Sequence, residues 1–216
     1  MNSILLTTIA ILTMPLYSVS QDTVKQKHRG PIWMYTDKNT NIYGASLGFG
    51  TVRGNARFVN TFGLKIEFIG VGLAVGLIPK SPVAQNEKEY SLISKDTISE
   101  KIYGLSVSPL GSVCDCKVNG ITIGGFGQIF YQINGLSITG MMTFSQKVNG
   151  VQSALFWNEV YWLNGLQISS HNQAQRINGV QIGLINKAKK INGIQIGLWN
   201  INDKRTLPLI NWNLKN

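Results

Sequence analysis

The sequence is poor in the side chains that most catalytic and metal sites require. Its 216 residues include only 2 His and 2 Cys, and Asp and Glu together number 10. Charged residues amount to 14% and apolar residues to 44%, which excludes a disordered chain and a long charged coiled coil. No carboxylate pair, His cluster or nucleophile with a base recurs at one place in the sequence. We therefore expect a non-enzymatic protein with no cofactor and no metal.

Acidic residues are also scarce relative to basic ones. The 20 Lys and Arg residues exceed the 10 Asp and Glu residues, so the formal net charge is +10. The cations are not interleaved with aromatic residues in a base-stacking pattern, and we expect no nucleic-acid partner. A polysaccharide or an anionic lipid surface is the more natural counterpart, although solubility alone would also account for the charge.

Charge is absent from residues 1–20, where Ile4 to Leu16 form an apolar run. Ser18 and Ser20 supply the small residues that precede a signal-peptidase cut. We predict a signal peptide over residues 1–20 and export of the remaining chain. An N-terminal membrane anchor is the alternative, but the run is shorter than the roughly 18 to 20 apolar residues that spanning requires.

From residue 102 the chain repeats a short unit seven times. Two degenerate copies, at Gly44 and Gly63, lie within residues 21–79, and a Pro-flanked charged segment at 80–101 separates them from the array. We predict an N-terminal β region over 21–79, an exposed loop or short helix over 80–101, and a repeat array with a C-terminal cap over 102–216. The glycines of the array follow one another in steps of 14 to 16 residues: Gly104, Gly120, Gly135, Gly150, Gly165, Gly179 and Gly193.

Within each unit the side chains alternate with the period of two that is typical of β-strands. Val180, Ile182 and Leu184 lie on one side of the sixth unit, and Gln181 lies between two glycines on the other. An Asn-Gly pair before each strand suits a tight corner, because glycine adopts positive φ at little steric cost. The sequence therefore predicts an all-β fold.

Two all-β architectures use such a unit in opposite ways, and a β-sandwich is the least favoured alternative. In a β-solenoid each unit is one coil, and we expect its Val, Ile and Leu side chains to point inward. In an antiparallel barrel of outer-membrane type each unit is one strand, with the apolar side facing lipid and the Gln side lining a lumen. The nearly constant step favours a repeat-built solenoid of 14–16-residue units, in which Ala188 and Ile191 turn inward and the neighbouring lysines stay in water. The barrel remains the alternative.

The last units read Gly179-Val-Gln-Ile-Gly-Leu-Ile-Asn-Lys-Ala and Gly193-Ile-Gln-Ile-Gly-Leu-Trp-Asn. This repeat sequence resembles that of the bacterial surface-repeat family built on Gly-Val-Gln-Ile-Gly-Leu-x-Asn units, which was first named for a spirochaete lipoprotein and is frequent in Bacteroidetes. The resemblance implies placement at the outer membrane or cell surface, alternatively in the periplasm. It implies no activity, because the family has none established. The chain lacks the lipobox Cys of the lipoprotein members, so we expect no lipid anchor.

Two sets of side chains are candidate ligand contacts. Exposed aromatic residues can stack on sugar rings, and lysines attract anionic groups. The first set consists of aromatic residues and lysines near two unit boundaries: Trp157, Tyr161, Trp162, Lys187, Lys189 and Lys190. A Gln series predicts a ladder whose amides bond to one another, which is the favoured role, or to sugar hydroxyls: Gln152, Gln167, Gln181 and Gln195.

The two cysteines, Cys114 and Cys116, are separated by one residue. Period-two alternation puts them on the same side of a strand, which permits a small disulfide ring, and two free thiols fit equally well. A zinc site requires four ligands, and no His cluster lies nearby.

Together these observations favour an exported envelope protein that serves as a structural or adhesive binding scaffold. The alternative function is an integral outer-membrane barrel that passes or holds a small ligand.

Overall fold

The computed structural model describes residues 25–54, 56–94 and 98–214, so the predicted signal peptide lies outside the described residues. The described chain is a β-solenoid of about 11 turns with a spacing of about 15 residues. This confirms the predicted solenoid and excludes the barrel. Within the described ranges the strand order runs from one end of the stack to the other without closing on itself.

The described residues form twelve strands and two helices. The strands are β1 (Lys27–Arg29), β2 (Ile32–Met34), β3 (Thr40–Gly48), β4 (Val59–Glu67), β5 (Glu100–Ser108), β6 (Cys116–Gly124), β7 (Gly127–Thr139), β8 (Met142–Ala154), β9 (Trp157–Ile168), β10 (His171–Ile182), β11 (Ile185–Ile201) and β12 (Thr206–Asn213). A 3-10 helix (Gly72–Leu77) and the α-helix α1 (Glu87–Ser94) lie between β4 and β5.

The strands pair in parallel and in register, so equivalent residues of the repeat stack on one another. Gly179 in β10 lies opposite Gly165 in β9 and Gly193 in β11. The pairing reverses only at the last described strand, β12, which runs antiparallel to β11 and covers the edge of the final coil. Register of this kind builds ladders of identical side chains along the solenoid.

The apolar side of each repeat lies outside the coil, contrary to the prediction. Gln181 is 0% exposed, whereas Ile182 is 39% and Leu184 is 54% exposed. The apolar core comes instead from the other sides of the coil, and the predicted inward positions of Ala188 and Ile191 are confirmed. The expectation that the Val, Ile and Leu positions after each glycine point inward is therefore wrong.

The glycine column explains this inversion. Gly179 has a φ of 147°, and a Cβ atom there would lie 1.9 Å from the carbonyl oxygen of Gly165 in the preceding coil. A side chain therefore does not fit at position 179. Because alternate residues share a side, the position of Gly179 carries Gln181 into the interior and Ile182 outward.

The connection between β4 and β5 covers one outer side of the coils. Its residue Val75 packs in a cluster with Phe144 and Tyr161, and the ring of Tyr90 stacks on that of Tyr161 at 4.2 Å. The segment at 80–101, predicted as a loop or short helix, contains α1. No helix within the described ranges has the length and apolar character needed to cross a membrane.

A buried ion cluster lies in the first coils, and no local sequence pattern predicted it. The Nζ atom of Lys65 lies 3.1 Å from Oε1 of Glu67 and 2.8 Å from Oε2 of Glu100. Arg57 reaches the same Glu100 oxygen at 3.2 Å. The four charges cancel, as burial of ionised groups requires. Burial and these carboxylates raise the pKa of the neighbouring Tyr35 hydroxyl far above its usual value.

Candidate ligand-binding face

A row of cations follows one outer side of the solenoid. Strands β5, β6, β8, β10 and β11 place a basic residue at equivalent positions of the repeat, and Gln132 and Trp162 occupy that position in β7 and β9. No carboxylate stands at this position in any of these strands. We call this row the cation column: Lys101, Lys117, Lys147, Arg176 and Lys190.

The solenoid geometry places successive cations one or two strands apart. Adjacent parallel strands lie about 4.8 Å apart, so the column runs for roughly 29 Å from Lys101 to Lys190. Arg176 pairs with the exposed carboxylate of Glu87 in α1. None of the four lysines has an ion-pair partner among the residues that the structure describes. Their positive charge is therefore available to a ligand.

A second row, of asparagines, lies two residues further along strands β6 to β11, whereas β5 has Tyr103 at this position. The Nδ2 group of Asn134 donates to Oδ1 of Asn119 at 2.7 Å, and Asn149 and Asn164 continue the ladder at 2.7 and 2.9 Å. Each amide has two donors and two acceptor positions, so the ladder leaves hydrogen-bonding capacity at the surface. We call this row the Asn column (Asn119, Asn134, Asn149, Asn164, Asn178 and Asn192), and the two rows together the Lys/Asn face.

The C-terminal part of this face contains a cleft of about 480 Å³. Trp162, Arg176 and Lys190 line the cleft, so the structure brings together two of the predicted contact residues, Trp162 and Lys190. The Trp162 ring lies between the charges of Lys147 and Arg176, at 5.7 and 5.5 Å from its centroid. Its Nε1 group donates to Oδ1 of Asn164 at 3.2 Å. Trp162 therefore holds the two rows in place and does not offer a free ring face to a sugar.

The other predicted contact residues lie elsewhere, and Trp157, Tyr161 and Trp162 do not form one exposed aromatic cluster. Tyr161 is buried beneath the Tyr90 ring of α1, and Trp162 packs partly buried against the same apolar cluster. Trp157 packs against the His171 ring at 4.4 Å, near a corner. Lys187 is exposed on the side that carries α1, and Lys189 donates from Nζ to the carbonyl oxygen of Gln85 at 2.9 Å.

The Gln series forms the ladder that was the favoured prediction. Gln167 donates from Nε2 to Oε1 of Gln152 at 3.1 Å, and Gln181 and Gln195 repeat the bond at 2.8 and 2.9 Å. All four side chains are fully buried. Their proposed contact with a sugar is therefore wrong, because no ligand reaches them from the surface.

The sequence left open whether Cys114 and Cys116 form a disulfide or remain free thiols. The structure joins Cys114 to Cys116 in a disulfide, and both residues lie in the apolar core. Within the described residues, no three His, Cys, Asp or Glu side chains are grouped so that they could hold a metal ion.

A second cavity, of about 390 Å³, lies between the β4–β5 connection and the coils. Its only buried carboxylate among the described lining residues is Glu159, which accepts hydrogen bonds from Gln85 at 2.8 Å and Gln173 at 3.3 Å. Burial raises the pKa of Glu159. One sequence signal pointed to this site, since Glu159 is the only acidic residue between residues 118 and 202.

The Lys/Asn face combines positive charge with amide hydrogen-bonding groups. No family model matches the chain, and comparisons with curated proteins and with solved structures found no significant similarity. The two columns of the Lys/Asn face consist of cations and amides and contain no carboxylate, thiol or imidazole that could act as a nucleophile or base. Such a surface fits a long anionic ligand with hydrogen-bonding groups.

Proposed function

We propose that the protein is a non-enzymatic, exported scaffold of the bacterial envelope that binds an anionic polysaccharide along the Lys/Asn face. The observation that carries the proposal is the register of the coils, which repeats cations and amides in two straight rows. A linear polymer of acidic sugars presents carboxylates and hydroxyls in the same linear manner. Its carboxylates would pair with the lysines and its hydroxyls with the Asn column.

Repetition of the cations along the column would raise the affinity for a polymer. A single exposed ion pair contributes about 0.2 to 1 kcal/mol, so one lysine cannot retain a ligand. Several weak contacts along one polymer act together, because each bound sugar keeps the next close to its site. We therefore expect an affinity that rises with polymer length and falls with ionic strength.

Export and placement at the envelope rest on separate support. Residues 1–20 have the pattern of a signal peptide, and disulfides such as Cys114–Cys116 persist in oxidising compartments outside the cytoplasm. The resemblance of the terminal units to bacterial surface-repeat proteins favours the outer membrane or cell surface over the periplasm.

Calorimetry with polygalacturonate, with neutral dextran as the uncharged control, tests the proposal. The variant Lys117→Gln/Lys147→Gln/Lys190→Gln removes three charges from the cation column. The matched control Lys38→Gln/Lys88→Gln/Lys187→Gln removes three exposed charges elsewhere. We expect the first variant to bind polygalacturonate roughly tenfold more weakly and the control to bind like the unaltered protein.

Two outcomes would refute the proposal. Equal losses in both variants would mean that net charge, and not the column, attracts the polymer. Equal or tighter binding of single-stranded DNA would indicate a nucleic-acid ligand, whose phosphates suit a cation row but whose bases require aromatic platforms.

A further inference from the structure

A second outer side of the solenoid has uncharged outward side chains in the described strands, and the Arg205 guanidinium lies 4.8 Å from the ring centroid of Trp212 at its C-terminal end. It consists of the outward side chains between the glycine of each coil and the following corner, on strands β3–β12. These positions hold Ala, Leu, Val, Ile or Trp in every strand except β8, where one of them is Ser153. We call this side the apolar face. Its last three strands contribute Val180, Ile182, Ile194, Ile196, Ile210 and Trp212.

The apolar surface continues around the corner that ends this face. Leu155, Leu184 and Leu198 protrude there and are all more than half exposed. Backbone hydrogen bonds join the corners of successive coils. The Leu184 carbonyl oxygen, for example, accepts from the amide of Trp199 at 2.9 Å. Trp199 and Phe156, the next residues along their coils, are also exposed. We call these five residues the corner ridge.

The extent of this surface is unusual for a protein that stays in water. Ten strands at about 4.8 Å make the apolar face roughly 43 Å long, and two rows of side chains make it about 13 Å wide. Its area of roughly 550 Å² is near the upper end of the largest apolar patches on monomers, before the corner ridge is added. An open apolar groove of about 680 Å³ between Ile182, Leu198 and Ile210 adds to it.

We infer that the apolar face and the corner ridge dock onto a lipid bilayer that contains anionic lipids, with the solenoid axis parallel to the membrane. The shape of the surface favours a bilayer over a second copy of the chain. The apolar residues occupy two sides of a corner, which a fluid lipid layer can envelop and a flat protein partner cannot. Two copies would also bring net charges of +10 together, whereas anionic headgroups attract that charge.

The edge of the apolar face has the composition of a membrane interface. Lys190 lies four residues before Ile194 on the same strand, with only Asn192 between them on the outside. A lysine at this distance extends its amine to the phosphates while Ile194 enters the acyl boundary. At the other edge, Trp199 suits the headgroup region, where aromatic rings with one polar end accumulate. Lys190 also belongs to the cation column, but the inference does not depend on the polysaccharide proposal, because the apolar side chains that carry it lie outside the Lys/Asn face.

Vesicle sedimentation tests this inference with the full chain. The probes are vesicles of phosphatidylcholine alone and vesicles that also contain phosphatidylglycerol. The variant Leu184→Gln/Leu198→Gln removes the corner ridge from the last coils, and the control Val52→Gln/Leu92→Gln changes two exposed apolar residues outside both surfaces. We expect tighter binding to the anionic vesicles, a loss on the order of tenfold in the ridge variant, and no loss in the control.

Independent readouts keep the test decisive. Circular dichroism confirms that each variant is folded, and brominated lipids should quench the tryptophan fluorescence of the bound protein. Calorimetry should show that the ridge variant still binds polygalacturonate, which separates this inference from the proposed function. Absence of vesicle binding, or equal binding by the ridge variant and the control, would overturn the inference. A dimer in light scattering that the ridge variant converts to monomer would assign the surface to a second copy.

Discussion

In an ordinary protein core, an apolar residue stabilises the fold more than a polar one, but we expect the reverse for the neighbouring residues Gln181 and Ile182. Gln181 is fully buried and Ile182 is 39% exposed. We predict that Gln181→Leu, which adds an apolar residue, destabilises the protein strongly. We predict that Ile182→Gln, which removes one, has a small effect.

The hydrogen bonds of the Gln ladder determine the size of the difference. Gln181 donates to Oε1 of Gln167 at 2.8 Å and accepts from Nε2 of Gln195 at 2.9 Å. A leucine would leave both neighbouring groups buried without these partners, at about 1 to 3 kcal/mol each. After the gain from apolar burial, we expect a net loss of about 2 to 4 kcal/mol. Ile182→Gln gives up only part of one side chain's burial, about 1 kcal/mol or less.

Guanidinium unfolding followed by circular dichroism and tryptophan fluorescence measures both free energies. Agreement of the two probes is needed, because repeat proteins can unfold in more than one step. A larger loss for Ile182→Gln than for Gln181→Leu would refute the assignment of the Gln side to the interior.

Three further predictions concern groups that the fold buries or crowds. Glu100→Gln should destabilise the protein by about 3 to 5 kcal/mol, because it leaves an unbalanced buried positive charge. Addition of Lys65→Met should recover part of this loss in the same unfolding assay. Gly165→Ala should lower the unfolding midpoint, because its Cβ would lie 2.0 Å from the carbonyl oxygen of Gly150, and full stability would contradict the coil stacking. Glu159 has a folded-state pKa raised by burial above its ordinary value of 4.5. The folded state therefore holds this proton more tightly, so its contribution to stability is greatest below pH 4.5 and declines as the pH rises through the folded pKa. Glu159→Gln should remove that decline from the pH dependence of unfolding, and an unchanged profile would show that another group causes it.

The repeat period and the alternation were sufficient to predict the coils, their spacing and the inward positions of Ala188 and Ile191. They did not predict which side of the remaining strand faces inward, because hydrophobicity alone assigns Ile182 to the core. The competing requirement is steric: Gly179 has to lie against the carbonyl oxygen of the preceding coil, and Gln181 follows it. A column of glycines two residues before a column of glutamines was the available signal.

Contacts between distant parts of the chain were beyond a reading of local pattern. Tyr161 is buried because Tyr90, from a connection that precedes the array, stacks on it. The ion cluster likewise joins Lys65 and Glu100, which are 35 residues apart. The cation column was hidden for another reason. Its members are separated by 14 to 30 residues in sequence and become neighbours only when the coils stack in register.

This coil exposes an apolar side and encloses a polar one, and thiol reactivity distinguishes exposed from enclosed positions. Ile182→Cys and Ala188→Cys each replace an apolar residue, but Ile182 is 39% and Ala188 is 2% exposed. The native cysteines are joined and do not react with a maleimide. We expect the thiol at position 182 to react in the folded protein almost as fast as in an unfolded peptide, and the thiol at position 188 to react only after unfolding. Protection at position 182 with rapid reaction at position 188 would contradict this expectation.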